Sequence, residues 1–173
     1  MKAVHKNAIR SVISVVLTSI LTTIHHVFRL GLGSMPMWMP VIMLPIGLAV
    51  LYKRSRFRNK WLLGAYGLVS YGIIFWFGIV DGLFDHTFRV LGLNNITWLP
   101  GGDAEIVETA FQIGSAETSH WIFQITGAFV FIVSLFALFY TTRFILGRLA
   151  VDDGKRAAGK AGGQHQTSER LAR

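Results

Sequence analysis

Charged and imidazole side chains are concentrated where the third apolar run of this sequence ends. The run from Trp61 to Val80 is followed by nine residues, 81 to 89, that contain two carboxylates, an imidazole and a guanidinium. These four groups are Asp81, Asp85, His86 and Arg89. Ionisable groups at the end of a membrane span are costly to place there, so they are functional candidates by default.

Two other apolar runs carry ionisable residues at one end. The first run ends at His25 and His26, and the last run begins at His120, just after Glu117. We expect the topology to bring these ends to one membrane depth, where donors from three helices meet. Imidazole and carboxylate groups are ligands of transition metals such as copper, zinc and iron. The candidate metal ligands are therefore His25, His26, Asp81, Asp85, His86, Glu117 and His120.

Helical spacing limits how these residues can combine. Side chains at adjacent helix positions such as His25 and His26 point about 100° apart, so at most one should face a shared site directly. We therefore expect His86 to meet one of the two, with a carboxylate alongside. Glu117 and His120 have the Glu-x-x-His spacing of di-iron bundles, but a full di-iron site needs two such motifs and only one is present.

Methionines form a second concentration beside the histidines. Apart from Met1, all of them lie between residues 35 and 43, at the start of the second apolar run. Thioethers are soft ligands that favour Cu(I), so Met35, Met37 and Met39 are candidate copper ligands. The alternative is that methionine fills irregular gaps around the prolines of this run.

Two further interpretations compete with a bare metal ion. A b-type haem could be held by His86 together with His25 or His26. In the purely structural alternative, Asp85 pairs with Arg89 one turn away and Glu117 caps a helix. The chain would then be a non-catalytic accessory or assembly subunit of a membrane complex with partner subunits.

Four apolar helices must position these side chains. The chain is 52% hydrophobic and 15% charged, against roughly 25% charged residues in a typical soluble domain. Its apolar runs occupy about 8–27, 37–52, 61–84 and 120–146. The first, third and last are long enough as helices to cross ~30 Å of hydrocarbon, whereas the second is short and contains Pro40 and Pro45. We predict an all-α integral membrane four-helix bundle over residues 1–147, surrounded by the lipid bilayer. The polar residues 148–173 predict a disordered basic tail.

Basic residues predict the orientation. Residues 53–60 contain five positive charges and no negative one, and both ends of the chain are also basic. An excess of Lys and Arg marks cytoplasmic segments, so both termini are predicted in the cytoplasm and the candidate ligands at the outer face. The net charge of +8 then reflects topology, and no nucleic-acid partner is predicted. The chain has no cysteine, which excludes thiolate ligands and disulfides.

The segment Asp81-Gly82-x-x-x-His86 is similar to a motif in uncharacterised bacterial multi-span inner-membrane proteins. The Trp-His-His segment of that family is absent after His86. The resemblance implies a location in the bacterial cytoplasmic (inner) membrane and carries no function with it. From the residues themselves, we expect a membrane protein that holds a transition metal, copper among the candidates, at the outer face.

Overall fold

The described part of the chain is helical and contains no strand. A computed structural model describes the backbone over 2–94 and 105–171, and side chains over 3–94 and 105–154. The main helices are α1 (Lys2–Leu30), α2 (Met35–Arg54), α3 (Lys60–Ile73) and α5 (Ala116–Leu171). Between α3 and α5 lie a π-helical segment (Ile74–Thr87) and the short helix α4 (Phe88–Val90), and a 3-10 turn (Leu32–Ser34) precedes α2.

Four helices of the described residues are long and apolar enough to cross a membrane. They cover Ala3–Leu30, Leu32–Arg54, Lys60–Val90 and Ala116–Gly154, so each predicted span lies inside one of them. The predicted all-α class and the four apolar helices are confirmed. Helix α5 continues to Leu171 without a break at residue 147. Side chains beyond residue 154 lie outside the described set, so the disordered tail stays a prediction.

Local sequence signals set the helix ends. Asn59 caps α3, because its Oδ1 accepts the backbone N–H groups of Trp61 and Leu62 at 3.0 and 3.2 Å. Gly31 follows α1 with φ of 83°, a conformation that glycine adopts without steric cost. Pro40 and Pro45 lie inside α2.

The centre of the fold is the packing of α5 against α1 and the π-helical segment, while α2 packs at the side against α1 and α3. Only Trp38, Pro45 and Tyr52 of α2 are buried. Small hydroxyl groups join the central helices: Ser11 Oγ hydrogen-bonds Tyr66 Oη and Thr141 Oγ1, both at 2.8 Å. Where no water is present, such interhelical bonds satisfy polar groups that packing has buried.

The helices have two chemically different ends. The basic end contains the 53–60 loop, and the histidine end contains His25 and His86. At the histidine end, residues 105–115 fold back over α1. The backbone N–H of Ala110 donates to the carbonyls of Phe28 and Arg29 at 3.1 and 3.0 Å. The last turn of α1 is therefore tied to this irregular segment.

Candidate metal centre

The π-helical winding of residues Ile74–Thr87 places Asp81 and His86 on the same side. In an α-helix, a residue five positions further on points about 140° away. A π-helix instead bonds residue i to residue i+5, as the N–H of Phe88 does with the Leu83 carbonyl. Asp81 and His86 are five residues apart, and their Oδ1 and Nε2 atoms lie 3.5 Å from each other.

Three glycines let α5 approach the π-helical segment closely. A Cβ on Gly78 would overlap the Ser134 side chain, and a Cβ on Gly127 would overlap the His86 ring. Gly78 and Gly82 have the spacing of the small-x-x-x-small motif of membrane helix pairs. The His86 ring therefore fills space that a residue larger than glycine at position 127 would occupy.

His25, His86 and Asp81 form the centre of the site. The Nε2 atoms of His25 and His86 are 3.0 Å apart. Asp81 bridges them, with Oδ1 at 3.5 Å from His86 Nε2 and Oδ2 at 4.0 Å from His25 Nε2. The two histidines are 1% exposed and Asp81 is 7% exposed, so the three donors meet away from the surface.

The hydrogen bonds around the His25 ring favour one tautomer. The hydroxyl of Thr126 donates its only hydrogen to the Phe123 carbonyl at 2.9 Å. With that hydrogen so used, His25 Nδ1, 3.0 Å from the hydroxyl oxygen, is assigned as the donor between them. In neutral His25, the lone pair is then on Nε2, which faces His86 and Asp81.

His86 is held in the same way from the opposite side. Its Nδ1 lies 2.7 Å from Gln124 Oε1, an acceptor, so Nδ1 donates its hydrogen. The lone pair of the neutral ring is again on Nε2. The His25 ring is also stacked on Phe123, with centroids 4.1 Å apart, and the His86 ring meets Phe123 edge-on at 4.9 Å. Both rings are therefore oriented by contacts outside the cluster.

His26 is a third imidazole with the same tautomer. Its Nδ1 donates to the Thr22 carbonyl at 2.9 Å, which leaves the Nε2 lone pair unused by that bond. Its ring packs against Trp38 at a centroid distance of 4.2 Å. His25, His26 and Asp81 each offer one ligand atom, and these atoms lie within 4.8 Å of one another. His26 is thus near the centre without facing His86 directly.

Asp81 also belongs to a second group. Asp81, Asp85 and His86 are all buried and offer ligand atoms within 4.8 Å of one another. Oδ2 of Asp81 has no hydrogen-bond partner and is shielded from solvent. A buried carboxylate oxygen without a donor is costly unless a cation or a proton satisfies it. Asp81 therefore belongs to both ligand groups and also carries a buried oxygen that accepts no hydrogen bond.

The separations of the donor atoms suit one metal ion. Ligand atoms bound at ~2.0–2.1 Å in a tetrahedral zinc site lie about 3.3–3.4 Å from each other. The Nε2–Nε2 separation of 3.0 Å and the distance of 3.5 Å from His86 Nε2 to Asp81 Oδ1 lie on both sides of that value. The 4.0 Å from His25 Nε2 is to the other carboxylate oxygen, Oδ2, so Asp81 would have to shift to give one ion a single oxygen ligand beside the two imidazoles.

Glu117 and His120 lie at the same end of the helices but are not part of the cluster. Glu117 is exposed in the first turn of α5. His120 Nδ1 accepts the backbone N–H of Val107 at 2.9 Å, so this ring carries its hydrogen on Nε2, the opposite tautomer. Neither residue belongs to the two ligand groups found among the described residues. His120 instead fastens the 105–115 segment to α5.

The three candidate methionine ligands of α2 are exposed. Met35, Met37 and Met39 are 46%, 60% and 37% exposed, whereas Trp38 between them is buried against His26. The rotation of α2 therefore directs an aromatic ring, and not the thioethers, toward the histidines. The donors brought together at the cluster are the imidazole nitrogens of His25 and His86 and the carboxylate of Asp81.

Sequence reasoning overlooked the residues that orient the two rings. Gln124 and Thr126 lie inside the last apolar run, and Gln124 is the only amide between residues 121 and 139. A polar side chain inside a membrane span is itself a functional signal, so Gln124 could have been selected on that ground. The Gly78-x-x-x-Gly82 spacing was also readable and predicts the close contact with α5.

The candidate metal centre is thus defined by the positions and chemistry of side chains of this chain alone. Its centre consists of His25, His86 and Asp81, with His26 and Asp85 beside it. Comparisons of the chain with known protein families, with curated proteins and with solved structures found no match.

Proposed function

We propose that this chain is an integral protein of the bacterial cytoplasmic membrane that holds one transition-metal ion between His25, His86 and Asp81, at the outer face. The observation that carries the proposal is the common tautomer of the imidazoles. His25, His26 and His86 each donate from Nδ1 to an acceptor outside the cluster, which leaves their lone pairs on Nε2. Metal-ligating histidines characteristically donate their other ring hydrogen in this way.

The charge of the cluster also favours a cation. Two Nε2 lone pairs lie 3.0 Å apart, and the Asp81 carboxylate adjoins both. Without a positive ion or an added proton, the Nε2 lone pairs of His25 and His86 would face each other beside the Asp81 carboxylate, an unfavourable contact of three hydrogen-bond acceptors. A divalent ion would satisfy His25, His86 and the unmatched Oδ2 of Asp81 together.

The donor set favours zinc over Cu(I). Two imidazoles and one carboxylate form a nitrogen and oxygen set, and three protein ligands with one open position are typical of catalytic zinc sites. The thioethers of Met35, Met37 and Met39 are exposed, which favours a nitrogen and oxygen site over one with soft ligands. Iron with the same ligands is the second choice.

The geometry favours a bare ion over haem b. A haem iron bound by two imidazoles takes them on opposite faces of a wide planar ring. His25 and His86 have their Nε2 atoms 3.0 Å apart, and Phe123 stacks on the His25 ring. A macrocycle between these imidazoles would need α1 and the π-helical segment to separate.

One observation favours the structural alternative of an accessory subunit. The 3.0 Å separation of the Nε2 atoms is also a hydrogen-bond distance. A single added proton could bridge His25 and His86, with Asp81 as its counter-ion. The cluster would then join α1 to the π-helical segment without a metal, and the metal experiment below separates the two proposals.

The proposed topology has a direct test, because a chain without cysteine accepts single reporter cysteines. In intact cells, Ser55→Cys and Gly163→Cys should resist a membrane-impermeant maleimide, whereas Gly102→Cys should react. The reason is the cationic bias of residues 53–60 and of both chain ends. If Ser55→Cys were labelled, residues 53–60 would lie outside the cell, and the cluster would lie at the cytoplasmic face.

Metal binding should be measured on the full chain, purified in mild detergent with an affinity tag that contains no histidine. After chelator treatment, we expect the protein to bind one Co²⁺ per chain with the visible absorption of a tetrahedral site, and Zn²⁺ to displace it. His25→Gln combined with His86→Gln should remove this absorption. His120→Gln should bind Co²⁺ as the unmodified chain does, because its Nδ1 is engaged by Val107.

The same experiment can overturn the metal proposal. Absence of Co²⁺ and Zn²⁺ binding above a detergent blank would favour the proton-bridged pair of the accessory subunit. If the unmodified chain and the double histidine variant bound Co²⁺ equally, the ion would have to bind somewhere other than between His25 and His86. Unfolding midpoints of all variants should be recorded, so that loss of metal is separated from loss of fold.

A further inference from the structure

A groove lies between α1 and α2 at the basic end of the helices, remote from the candidate metal centre. It encloses about 300 Å³, a volume at the lower end for ligand pockets. Its walls are mainly aliphatic and include Ile9, Val12, Ile46 and Ala49. The charged lining residue is Lys53, located where α2 meets the basic loop. The groove is thus apolar along its length and cationic at one end.

The wall of the groove formed by Phe57 is held in a costly conformation. Arg56 and Phe57 have φ of 53° and 60°, a region that bulky residues rarely adopt. Arg148 secures the turn, because its Nη2 donates to the Phe57 carbonyl at 2.5 Å and its Nε donates to Tyr52 Oη at 3.0 Å. Strained backbone that is held by surrounding contacts is concentrated at functional sites.

The Phe57 ring closes the groove as a result of this turn. It lies edge-on to Tyr52 at a centroid distance of 5.3 Å and to His5 at 6.3 Å. All three residues line the groove. The loop is therefore shaped to keep an aromatic ring over the space between α1 and α2.

The electrostatic surroundings of the groove select an anion. Residues 53–60 carry five positive charges, and the sequence contains no acid before Asp81. Asp152, near this end on α5, lies 3.7 Å from Arg148 and is paired with it. Clusters of Lys and Arg beside a membrane span attract anionic lipid headgroups.

We infer that this groove binds one anionic phospholipid of the adjoining leaflet, with an acyl chain along Ile9, Val12 and Ile46 and the phosphate at Lys53. The exposed flank of the groove is apolar, since Ile9, Ile13 and Val50 are 49%, 61% and 44% exposed. A lipid can therefore enter sideways from the bilayer. The inference rests on the membrane insertion proposed above and is independent of the metal ion.

The test is native mass spectrometry of the delipidated full chain in mild detergent, with added phosphatidylglycerol or phosphatidylcholine at equal concentration. We expect one phosphatidylglycerol per chain, and much less phosphatidylcholine. Lys53→Gln should weaken retention roughly fivefold, the expected effect of one basic residue at an anionic surface. Lys60→Gln is the matched control, because it removes the same charge from an exposed residue outside the groove.

A second pair of variants tests the acyl-chain position. Ala49→Phe and Val50→Trp should each fill the groove and prevent retention, and Val50 is exposed enough to accept a larger side chain without unfolding. Leu68→Phe, at a 77% exposed position outside the groove, should retain the lipid.

Three results would overturn the lipid site. They are equal retention of the two lipids, equal losses in Lys53→Gln and Lys60→Gln, or full retention in both groove-filling variants. Co²⁺ binding should be unchanged in all of these variants. If the lipid test failed while Co²⁺ binding was intact, the metal proposal would stand. If Co²⁺ binding failed while the lipid test succeeded, the lipid site would stand.

Discussion

Asp81→Asn should lower the affinity for Co²⁺ and Zn²⁺ by at least ~100-fold while the helices remain folded. The change removes the carboxylate that adjoins both His25 and His86, at 4.0 and 3.5 Å. Loss of a group that merely supports a metal ligand already costs about 10- to 100-fold in affinity. The measurement is a Co²⁺ titration followed by visible absorption, on protein whose unfolding midpoint has been recorded.

Glu117→Gln is the matched control for this prediction. Glu117 is an exposed carboxylate at the same end of the helices and lies outside both ligand groups of the described residues. The control should bind Co²⁺ as the unmodified chain does. If Asp81→Asn also kept the original affinity, Asp81 would not be a ligand, and the proposed set of His25, His86 and Asp81 would be wrong.

Gly82→Leu should strongly destabilise the packing of α5 against the π-helical segment. A Cβ at this position would lie 2.9 Å from the backbone nitrogen of Phe131 and 3.1 Å from the carbonyl oxygen of Gly127. Both neighbours are backbone atoms, so α5 would have to move as a whole. Overpacking typically costs ~1–3 kcal/mol, and a displaced helix places this case at about 3 kcal/mol or more.

The measurement is the thermal unfolding midpoint in detergent, with Gly72→Leu as the control. A Cβ on Gly72 would meet no atom within 4 Å, and the residue is exposed. Gly72→Leu should therefore leave the midpoint unchanged or raise it slightly. Equal midpoints for the two variants would show that α5 is not closely packed at Gly82.

The position of the candidate ligands along their helices could be predicted because it is a local property of sequence. Each helical residue advances the chain by 1.5 Å, so an apolar run and its end define a position along the helix axis. The histidine ends of α1 and α5 and the acidic end of the π-helical segment follow from this alone. A common level also predicts that His86 meets one histidine of α1 beside a carboxylate, and the tertiary structure selects His25 and Asp81 for that meeting.

Direction around each helix axis could not be predicted in the same way. His120 lies at the predicted end of the helices, but its Nδ1 lone pair accepts the N–H of Val107, in a segment whose path depends on tertiary contacts. The methionines lie at the start of α2, next to the histidine end of α1, but Trp38 is the residue of this turn that packs against His26, and the thioethers are exposed. Rotation is determined by packing between helices, and apolar sequence patterns carry little information about it when all faces are hydrophobic.

The sequence by itself determined that this chain is all-α, with four apolar helices and with imidazoles and carboxylates at a common end. Only the tertiary structure decided which of those groups meet. The π-helical winding brings Asp81 and His86 to one side, and Gly127 leaves room for the His86 ring. Gln124 and Thr126 on α5 then orient the rings, because bonds between distant residues form only once the helices have packed.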